Sequence, residues 1–308
     1  MTDFALDGLD GANPLAFLAA IGTLRTADRC WPDADVRLRW ELTGAGWRAR
    51  LAVDAPLDAP SWLDALAECL RKPEPALALG DDLNLPCEGF RSALLEARAT
   101  AGPKTRATLD FFAALGSEAI QAQVNGKPNG LMADTALRTM SGAGHQHFLG
   151  FMRELVSVTN AAHLESALFH AWSYADDGPS LRWDPADDRR YALRWKEPSG
   201  DPIRTVRGAN RLAIEALPLL PTAPVGTDLQ TTGFRRRRGE GVGFTWPIWT
   251  APVGVGTVRS LLSLAELQED KPDGRVLAAR GIAETYRSLR LTLGKYRNFG
   301  QAGPVMVG

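Results

Sequence analysis

The stretch from Thr231 to Trp249, TTGFRRRRGEGVGFTWPIW, constrains the fold of this chain more than any other. Two segments rich in aromatic and β-branched residues, Leu229 to Phe234 and Val242 to Trp249, flank four consecutive arginines and a glycine-rich turn. This pattern predicts a long β-hairpin. Successive side chains of a strand point to opposite faces, so the run from Arg235 to Arg238 places charge on both faces. We therefore expect the basic end of the hairpin to project from the body of the protein.

The arginine run predicts contact with a nucleic acid. The planar guanidinium group of arginine makes two parallel hydrogen bonds to a phosphate. Four aromatic residues lie close by in the sequence and could stack on unpaired bases, namely Phe234, Phe244, Trp246 and Trp249. A second interpretation stays open, in which the run is a solvated basic loop and the two tryptophans belong to the core.

Three further segments carry candidate nucleic-acid contacts. A helix predicted from about Ala209 to Leu217 begins among arginines, and backbone N–H groups in a first helical turn favour an anion. The segment QAQVNGKPNG, residues 121–130, carries side chains able to read base edges, although Asn and Gly dominate ordinary turns as well. The C-terminal tail again mixes basic and aromatic residues. The full set of predicted nucleic-acid-binding residues is Arg204, Arg207, Arg211, Asn125, Lys127, Asn129, Arg235, Arg236, Arg237, Arg238, Lys295 and Arg297.

The segment from Asn13 to Arg29 predicts a buried helix. Asparagine is a favoured N-cap, and Pro14 at the first helical position loses no hydrogen bond there. Apolar residues surround most of the circumference, and a helix that is apolar nearly all round is buried. Gly22 indicates that another backbone approaches closely, because glycine inside a helix costs about 1 kcal/mol relative to alanine.

The patterns together predict an α+β protein with two regions. Residues 1–175 form a mainly helical, acidic region with an N-terminal hairpin from Val36 to Val53, whose arginines line a solvated strand face. Residues 176–308 form a basic, mixed α/β region that carries the projecting hairpin. One continuous domain is the alternative. Further helices are expected over residues 60–70, 88–100, 109–122 and 131–173, the last broken at 141–144.

The charge distribution agrees with this division. Residues 1–181 carry 15 Lys and Arg against 23 Asp and Glu, whereas residues 182–308 carry 20 against 13. Such a separation is typical of a chain that presents one end to a polyanion, and salt bridges between the halves explain it equally well.

The sequence predicts no metal site and no cofactor. Cys30, Cys69 and Cys87 are odd in number and far apart, so neither a disulfide framework nor a C-x-x-C site is expected. The four histidines lack ligand spacing and are expected to be structural. No apolar run reaches the length of a membrane span, and the start of the chain lacks the basic segment of a secretory signal. We expect a cytoplasmic protein with no membrane partner.

Catalytic signatures are missing from the sequence. It contains no G-x-x-x-x-G-K-[ST], no G-x-S-x-G and no zinc-ribbon spacing. Adjacent carboxylates at Asp81-Asp82, Asp176-Asp177 and Asp187-Asp188 could build a metal-dependent nuclease with distant partners, but nothing in their spacing selects that role. The sequence favours a noncatalytic protein, with a nuclease and a structural protein–protein adaptor as alternatives.

Several blocks of the sequence resemble a CRISPR family. The opening D-G-x-N-P-L-A-F-L-A-A-I-G-T-L-R, the following A-D-R-C-W-P and the strand ending at Arg39-Trp40 resemble the start of Csb-type and related large-subunit proteins of type I-G (formerly I-U) systems. The later blocks GANRLAIEALPLLP, TTGF and FTWPIW are similar to accessory proteins of the same loci, some of them extensions of the helicase–nuclease. The likeness consists of scattered blocks, none of which is a catalytic signature.

The resemblance implies a noncatalytic, nucleic-acid-binding subunit of a Cascade-like surveillance complex in antiviral defence. Such large subunits recognise the protospacer-adjacent motif, help to open the duplex and recruit the helicase–nuclease, while guide pairing reads the rest of the target. The implied partners are crRNA, target DNA and other effector subunits, including the helicase–nuclease. Whether the chain contacts DNA, RNA or both stays open at this point.

Overall fold

The computed structural model describes residues 2–55, 58–102, 105–140, 147–187, 204–293 and 296–307 and has an α+β fold, as the sequence predicts. The helices are α1 (Pro14–Cys30), α2 (Ala59–Leu70), α3 (Cys87–Ala99), α4 (Arg106–Leu115), α5 (Phe148–Val158), α6 (Ala161–Phe169), α7 (Arg207–Ile214), α8 (Val255–Leu262) and α9 (Gly274–Ala279). The strands are β1 (Thr2–Asp10), β2 (Val36–Thr43), β3 (Gly46–Val53), β4 (Gly116–Val124), β5 (Lys127–Asp134), β6 (Asp176–Asp177), β7 (Arg204–Thr205), β8 (Thr222–Val225), β9 (Asp228–Thr231), β10 (Phe234–Arg237), β11 (Gly241–Trp249), β12 (Ile282–Leu293), β13 (Tyr296–Phe299) and β14 (Gly303–Pro304).

Helix α1 lies at the centre of the molecule, and the sequence prediction for it is confirmed. The side-chain oxygen of Asn13 accepts a hydrogen bond from the backbone N–H of Ala16 at 3.1 Å, and Pro14 occupies the first helical position. Every residue from Pro14 to Ala27 is buried. A helix buried on all sides must be covered by several elements, so α1 sets the positions of the elements around it.

Gly22 is the point of closest approach to α1. A Cβ atom at this position would lie 2.0 Å from the carbonyl oxygen of Leu212 in α7, which no real side chain tolerates. Gly208 in α7 makes a similar approach, because a Cβ there would lie 2.1 Å from the carbonyl oxygen of His163 in α6. The two glycines therefore allow α1, α7 and α6 to pack backbone against backbone.

The N-terminal sheet covers one side of α1. Its strand order is β1-β3-β2 with antiparallel pairing, and it includes the predicted hairpin. The opposite face carries ion pairs between strands, such as Arg39 with Asp3 at 2.6 Å and Arg50 with Glu41 at 2.5 Å. The arginines of this face are thus partnered within the sheet, in agreement with a solvated strand face.

The C-terminal sheet covers another side of α1. Its antiparallel order is β10-β11-β12-β13, with β14 also paired to β12. Phe17 of α1 contacts the rings of Phe244, Trp246 and Trp249, with centroids 6.3, 5.7 and 6.3 Å away. Residues from both predicted regions therefore share one hydrophobic core.

Residues 116–134 differ from the prediction. Helices were expected over residues 109–122 and from residue 131, but α4 ends at Leu115 and the chain then forms the β4–β5 hairpin. Asn125 and Gly126 at its tip both have positive φ, 51° and 74°, which is the geometry of a type I′ hairpin turn. The turn determines the pairing here, whereas the single-sequence pattern had suggested helix. The break expected at 141–144 lies outside the described residues.

The cysteines also differ from the prediction. Cys30, at the end of α1, and Cys69, near the end of α2, form a disulfide with their Cα atoms 6.3 Å apart. The sequence separation of 39 residues had concealed this pairing, because the fold places the ends of the two helices side by side. Cys87 remains as a free cysteine.

A buried ion network joins α1 to α7. Glu215, directly after α7, accepts hydrogen bonds from Arg25 of α1 at 2.8 Å and from Arg211 of α7 at 3.0 Å. Arg211 also donates to the backbone carbonyl of Leu70 at 2.7 Å, at the end of α2. All three charged side chains are almost fully buried. Burying such a group is tolerated only when its partners are in place.

Glu215→Gln is expected to lower the free energy of unfolding by about 3–5 kcal/mol near neutral pH, because Arg25 and Arg211 then stay buried without their counter-charge. Burial by itself raises the pKa of Glu215, but Arg211 and Arg25 more than offset it, so the folded pKa lies below the unfolded one. Such a carboxylate stabilises the fold above its unfolded pKa and loses that contribution as the pH falls. Urea unfolding should therefore show the difference between parent and variant shrinking below about pH 4.3.

Glu68→Gln is the matched control. Glu68 is an exposed residue of α2, paired with Arg71 at 3.1 Å, and its replacement should change the free energy of unfolding by less than about 1 kcal/mol. A difference between the parent and Glu215→Gln that does not depend on pH would contradict an ionised Glu215 in the folded state.

Candidate nucleic-acid interface

The predicted β10–β11 hairpin is present, and it divides the arginine run. Arg235, Arg236 and Arg237 lie in β10, opposite Gly243, Val242 and Gly241 of β11. Arg238 lies in the turn between the strands. The segment from Leu229 to Thr231, which the sequence assigns to the same strand, belongs instead to a separate hairpin of β8 and β9.

One face of β10 packs against the protein rather than projecting from it. Arg235 and Arg237 share this face and donate to the backbone carbonyl of Gln268, each at 3.1 Å. Arg237 also pairs with the carboxylate of Asp270. Arg287 of β12 reaches the same loop and donates to the carbonyl of Glu269 at 2.6 Å. The carbonyls that end the short helix Glu266–Gln268 and the loop after it thus accept from three arginines.

This crowding of arginines changes their electrostatics. Arg237 is only 5% exposed, so it is not available to a ligand at the surface. Burial, followed by the charge of the neighbouring Arg237, lowers the pKa of Arg287 to about 10, while Asp270 and Glu240 oppose the shift. The expectation that the whole run projects is therefore corrected: Arg236 and Arg238 are exposed, whereas Arg237 is structural and Arg235 is exposed but bound to the loop.

The aromatic residues near the arginines belong to the core. Phe234 stacks on Phe244 with ring centroids 4.7 Å apart, and both rings are buried. The indole N–H groups of Trp246 and Trp249 donate to the carbonyls of Gly11 and Leu38, each at 2.8 Å. None of these four rings is free to stack on a base, so the alternative interpretation, in which the tryptophans lie in the core, describes the structure.

Three predicted contact residues make interactions within the protein. Arg204 pairs with Asp177 at 3.1 Å, and Arg207 donates to the carbonyl of Asp177 at 2.5 Å. Arg211 lies in the interior, in the ion network with Glu215. The anion site expected at the start of this helix is also filled from within, because the backbone N–H of Arg207 donates to the carboxylate of Asp176 at 2.8 Å. Arg211 is thereby excluded from any surface site.

Asn125, Lys127 and Asn129 lie at the exposed end of the β4–β5 hairpin, which we call the ribbon. All residues from Gln123 to Gly130 are exposed, so this end stands clear of the body. Lys127 pairs with Val124 across the ribbon, and Gln123 pairs with Pro128. Because opposite residues share a face, Val124 and Lys127 lie on one side and Gln123 and Pro128 on the other, and the register shifts directly beyond Pro128, where Asn129 follows. The ribbon is the projecting hairpin of this protein.

A second basic group involves a residue that the sequence analysis did not single out. Arg236 lies opposite Val242, and Val242 lies opposite Arg290 of β12. Arg297 of β13 lies opposite Thr292, two residues further along β12. These three arginines, Arg236, Arg290 and Arg297, share one face, and we call them the arginine row. The strand-like pattern of TYRSLRLTL, which contains Arg290, was the available signal, but the strand partners of β12 were unknown. Lys295 lies outside the described residues.

The ribbon and the arginine row meet at residues 134–136. Asp134 ends β5 and pairs with Gly116 at the base of the ribbon. Arg290 donates to the carbonyl oxygen of Ala136 at 2.9 Å. Burial and the charge of Arg297 lower the pKa of Arg290, and the charge of Asp134 opposes them. The base of the exposed ribbon thus adjoins a basic face. Such an arrangement can bind the phosphate backbone of a nucleic acid while the ribbon contacts its bases.

His163 and the adjacent carboxylates Asp81 and Asp82 have structural partners. His163 completes a capping box at the start of α6, where its Nδ1 accepts from the N–H of Asn160 at 3.2 Å. Asp81 pairs with Arg153 at 2.6 Å, and Asp82 with Arg138 at 2.8 Å. In the described ranges, no group of three or more His, Cys, Asp and Glu side chains is arranged to hold a metal ion. His145 and Asp188 fall in the gaps between those ranges.

Comparisons with known proteins found no match to this sequence, either among protein-family models or among curated proteins. Over the part of the chain that the structure describes, no helix is both long and apolar enough to span a membrane.

Adjacent arginines of the run are expected to differ sharply in their effect on stability. Arg237→Ala should lower the free energy of unfolding by about 1–3 kcal/mol, because it removes a buried side chain that donates to the carbonyls of Gln268 and Glu269 and pairs with Asp270. Arg238→Ala should change it by less than about 0.5 kcal/mol, because Arg238 is exposed in the turn. Urea unfolding of the two variants checks this. Equal losses in the free energy of unfolding would contradict the packing of one face of β10 against the protein.

Proposed function

We propose that this protein is a noncatalytic nucleic-acid-binding subunit of a CRISPR surveillance complex of the Cascade type. The observation that carries the nucleic-acid part is the exposed ribbon, whose base adjoins the arginine row. The sequence blocks that resemble type I-G large-subunit and accessory proteins support the second part. In this function the protein works in the cytoplasm with crRNA, target DNA and other effector subunits.

The shape of the ribbon suits a groove of a duplex. The major groove of B-DNA admits a two-stranded β-ribbon, and side chains on such a ribbon reach base edges. Lys127 supplies a donor on the same side of the ribbon as the apolar Val124. The amide Nδ2 of Asn129 supplies another donor, while its Oδ1 accepts from the backbone N–H of Leu131 at 3.1 Å. Such donors can contact base edges, and an apolar group can contact the methyl of thymine. A short element of this kind suits a protein that reads only a protospacer-adjacent motif and leaves the remaining sequence to the guide.

The arginines near the ribbon suit contacts with the phosphate backbone of a nucleic acid. Arg236 and Arg238 are exposed, and neither side chain forms a hydrogen bond or ion pair with another described residue. Phosphate contacts of this kind position a protein on nucleic acid without carrying sequence information. In our proposal the ribbon reads bases, the arginines hold phosphates, and the remainder of the chain contacts effector subunits and helps to recruit the helicase–nuclease.

Replacing Arg236 and Arg238 together with alanine should weaken nucleic-acid binding and reduce its salt dependence. Each phosphate contact that is lost should flatten the slope of log affinity against log salt by roughly 0.7–0.9. Replacing Asn125, Lys127 and Asn129 with alanine should instead alter sequence preference and leave most of that slope in place. Fluorescence anisotropy with labelled duplex and single-stranded oligonucleotides, over a series of salt concentrations, measures both effects.

The matched control is the double variant Arg98→Ala with Arg275→Ala. Both residues are exposed and lie in α3 and α9, and the change in net charge is the same. The control should keep the parent slope more closely than the Arg236 and Arg238 variant does. If the two double variants lose affinity equally, only net charge matters, and the interface lies elsewhere.

Membership of a CRISPR surveillance complex is tested by identifying the RNA that copurifies with the protein. The tagged full-length chain, produced in its own host and cross-linked with ultraviolet light, should retain short RNAs derived from CRISPR repeats. Variants of Asn125, Lys127 and Asn129 should keep these RNAs if guide RNA is held elsewhere in the complex and should lose cross-links to target DNA. Recovery of effector subunits with no cross-link to either nucleic acid would favour the adaptor alternative.

A further inference from the structure

The arginine row stands at the open end of the C-terminal sheet. Its members come from three strands: Arg236 from β10, Arg290 from β12 and Arg297 from β13. Arg290 also lies opposite Phe299, whose ring packs against Phe244 with centroids 6.0 Å apart. The aromatic core therefore ends where the arginines begin. The sheet register brings together three cations that are far apart in the sequence.

The row carries more positive charge than its surroundings neutralise. Burial, followed by the charges of Arg297 and Arg236, lowers the pKa of Arg290 to about 10. Asp134 is the carboxylate that opposes this shift. Asp134 is also bound to Arg138, which shares its negative charge. Like charges held together in this way favour the entry of an anion.

The row also has unused hydrogen-bond donors. Arg290 donates one bond, to the carbonyl of Ala136, while its Nε atom is buried and has no partner. Within the described ranges, no acceptor is hydrogen-bonded to the side chain of Arg236 or of Arg297. The Nε atoms of Arg138, Arg211 and Arg237 are also buried without a partner, but each of those side chains has a carboxylate partner, whereas Arg290 has none among the described residues.

We propose that Arg236, Arg290 and Arg297 form a binding site for one phosphate group. Guanidinium groups bind phosphate oxygens in pairs of parallel hydrogen bonds, and three of them surround the doubly or singly charged group without a competing carboxylate in the row. The inference rests on the proposed function where the phosphate belongs to a nucleic-acid backbone. Free inorganic phosphate offers the same chemistry and would use the same donors.

The test compares neighbouring arginines on opposite faces of one strand. The full-length parent, Arg236→Gln, Arg297→Gln and Arg235→Gln are titrated in a calorimeter, first with inorganic phosphate and then with a short single-stranded oligonucleotide. Arg236→Gln and Arg297→Gln should each weaken binding of the ligand that occupies the site by about tenfold or more. Arg235→Gln removes the same charge one residue away and should change affinity by less than about twofold, because its side chain lies on the other face.

Arg290→Gln is a fourth variant, and its fold must be checked because Arg290 also bonds to Ala136. Thermal unfolding and circular dichroism of every variant show whether lost binding reflects lost structure. If Arg290→Gln does not fold, Arg236→Gln and Arg297→Gln still decide the question, because neither side chain bonds to another described residue.

The outcomes separate this site from the proposed function. Binding of inorganic phosphate with the expected variant pattern, but none of the oligonucleotide, would support the site and overturn the nucleic-acid function. If Arg235→Gln weakens oligonucleotide binding as much as Arg236→Gln and Arg297→Gln do, the phosphate site is overturned and the nucleic-acid function still stands. If the parent protein binds neither inorganic phosphate nor the oligonucleotide, the site is overturned.

Discussion

The close contact between α1 and α7 is the constraint on which the rest of the structure depends. Gly22 lies against the backbone of Leu212, so the two helices pack at a distance that no larger residue allows. This contact brings Arg25 to Glu215 and fixes Phe17 where both sheets reach it. Because α1 is buried along almost its entire length, any element that shifts leaves apolar surface exposed, and the cost of that exposure keeps the two sheets in place.

Arginine has two different uses in this protein. Inside, each buried arginine has a carboxylate partner: Arg211 binds Glu215, Arg138 binds Asp82 and Asp134, and Arg237 binds Asp270. This is the condition under which a buried charge is tolerated. Arg290 of the arginine row departs from it, because Asp134, the carboxylate that acts on it, is already paired with Arg138. That contrast, rather than the number of arginines, is the basis of our proposal for the arginine row.

Much of the local structure could be predicted from the sequence. The N-cap and proline at the start of α1 located its first turn, and alternation located β2, β3 and the β10–β11 hairpin. The ribbon was missed because the sequence GSEAIQAQ of β4 is rich in Glu, Ala and Gln, which favour helix locally. Pairing with β5 across the Asn-Gly turn outweighs that preference, and such pairing depends on a partner strand that no local window contains. The disulfide and the arginine row were missed for the same reason, since both join residues that only the fold brings together.

The arginine run shows what each level decides. The sequence determines that Arg235 to Arg238 alternate between two faces of a strand, because consecutive side chains of an extended backbone must do so. It does not determine which face meets the protein. The tertiary structure decides that. It places the carbonyls of Gln268 and Glu269 beside Arg235 and Arg237. It leaves Arg236 on the same face as Arg290, with strand β11 between them. The physical reason is that a guanidinium group takes whichever acceptors lie within reach, and here those acceptors come from parts of the chain distant in sequence.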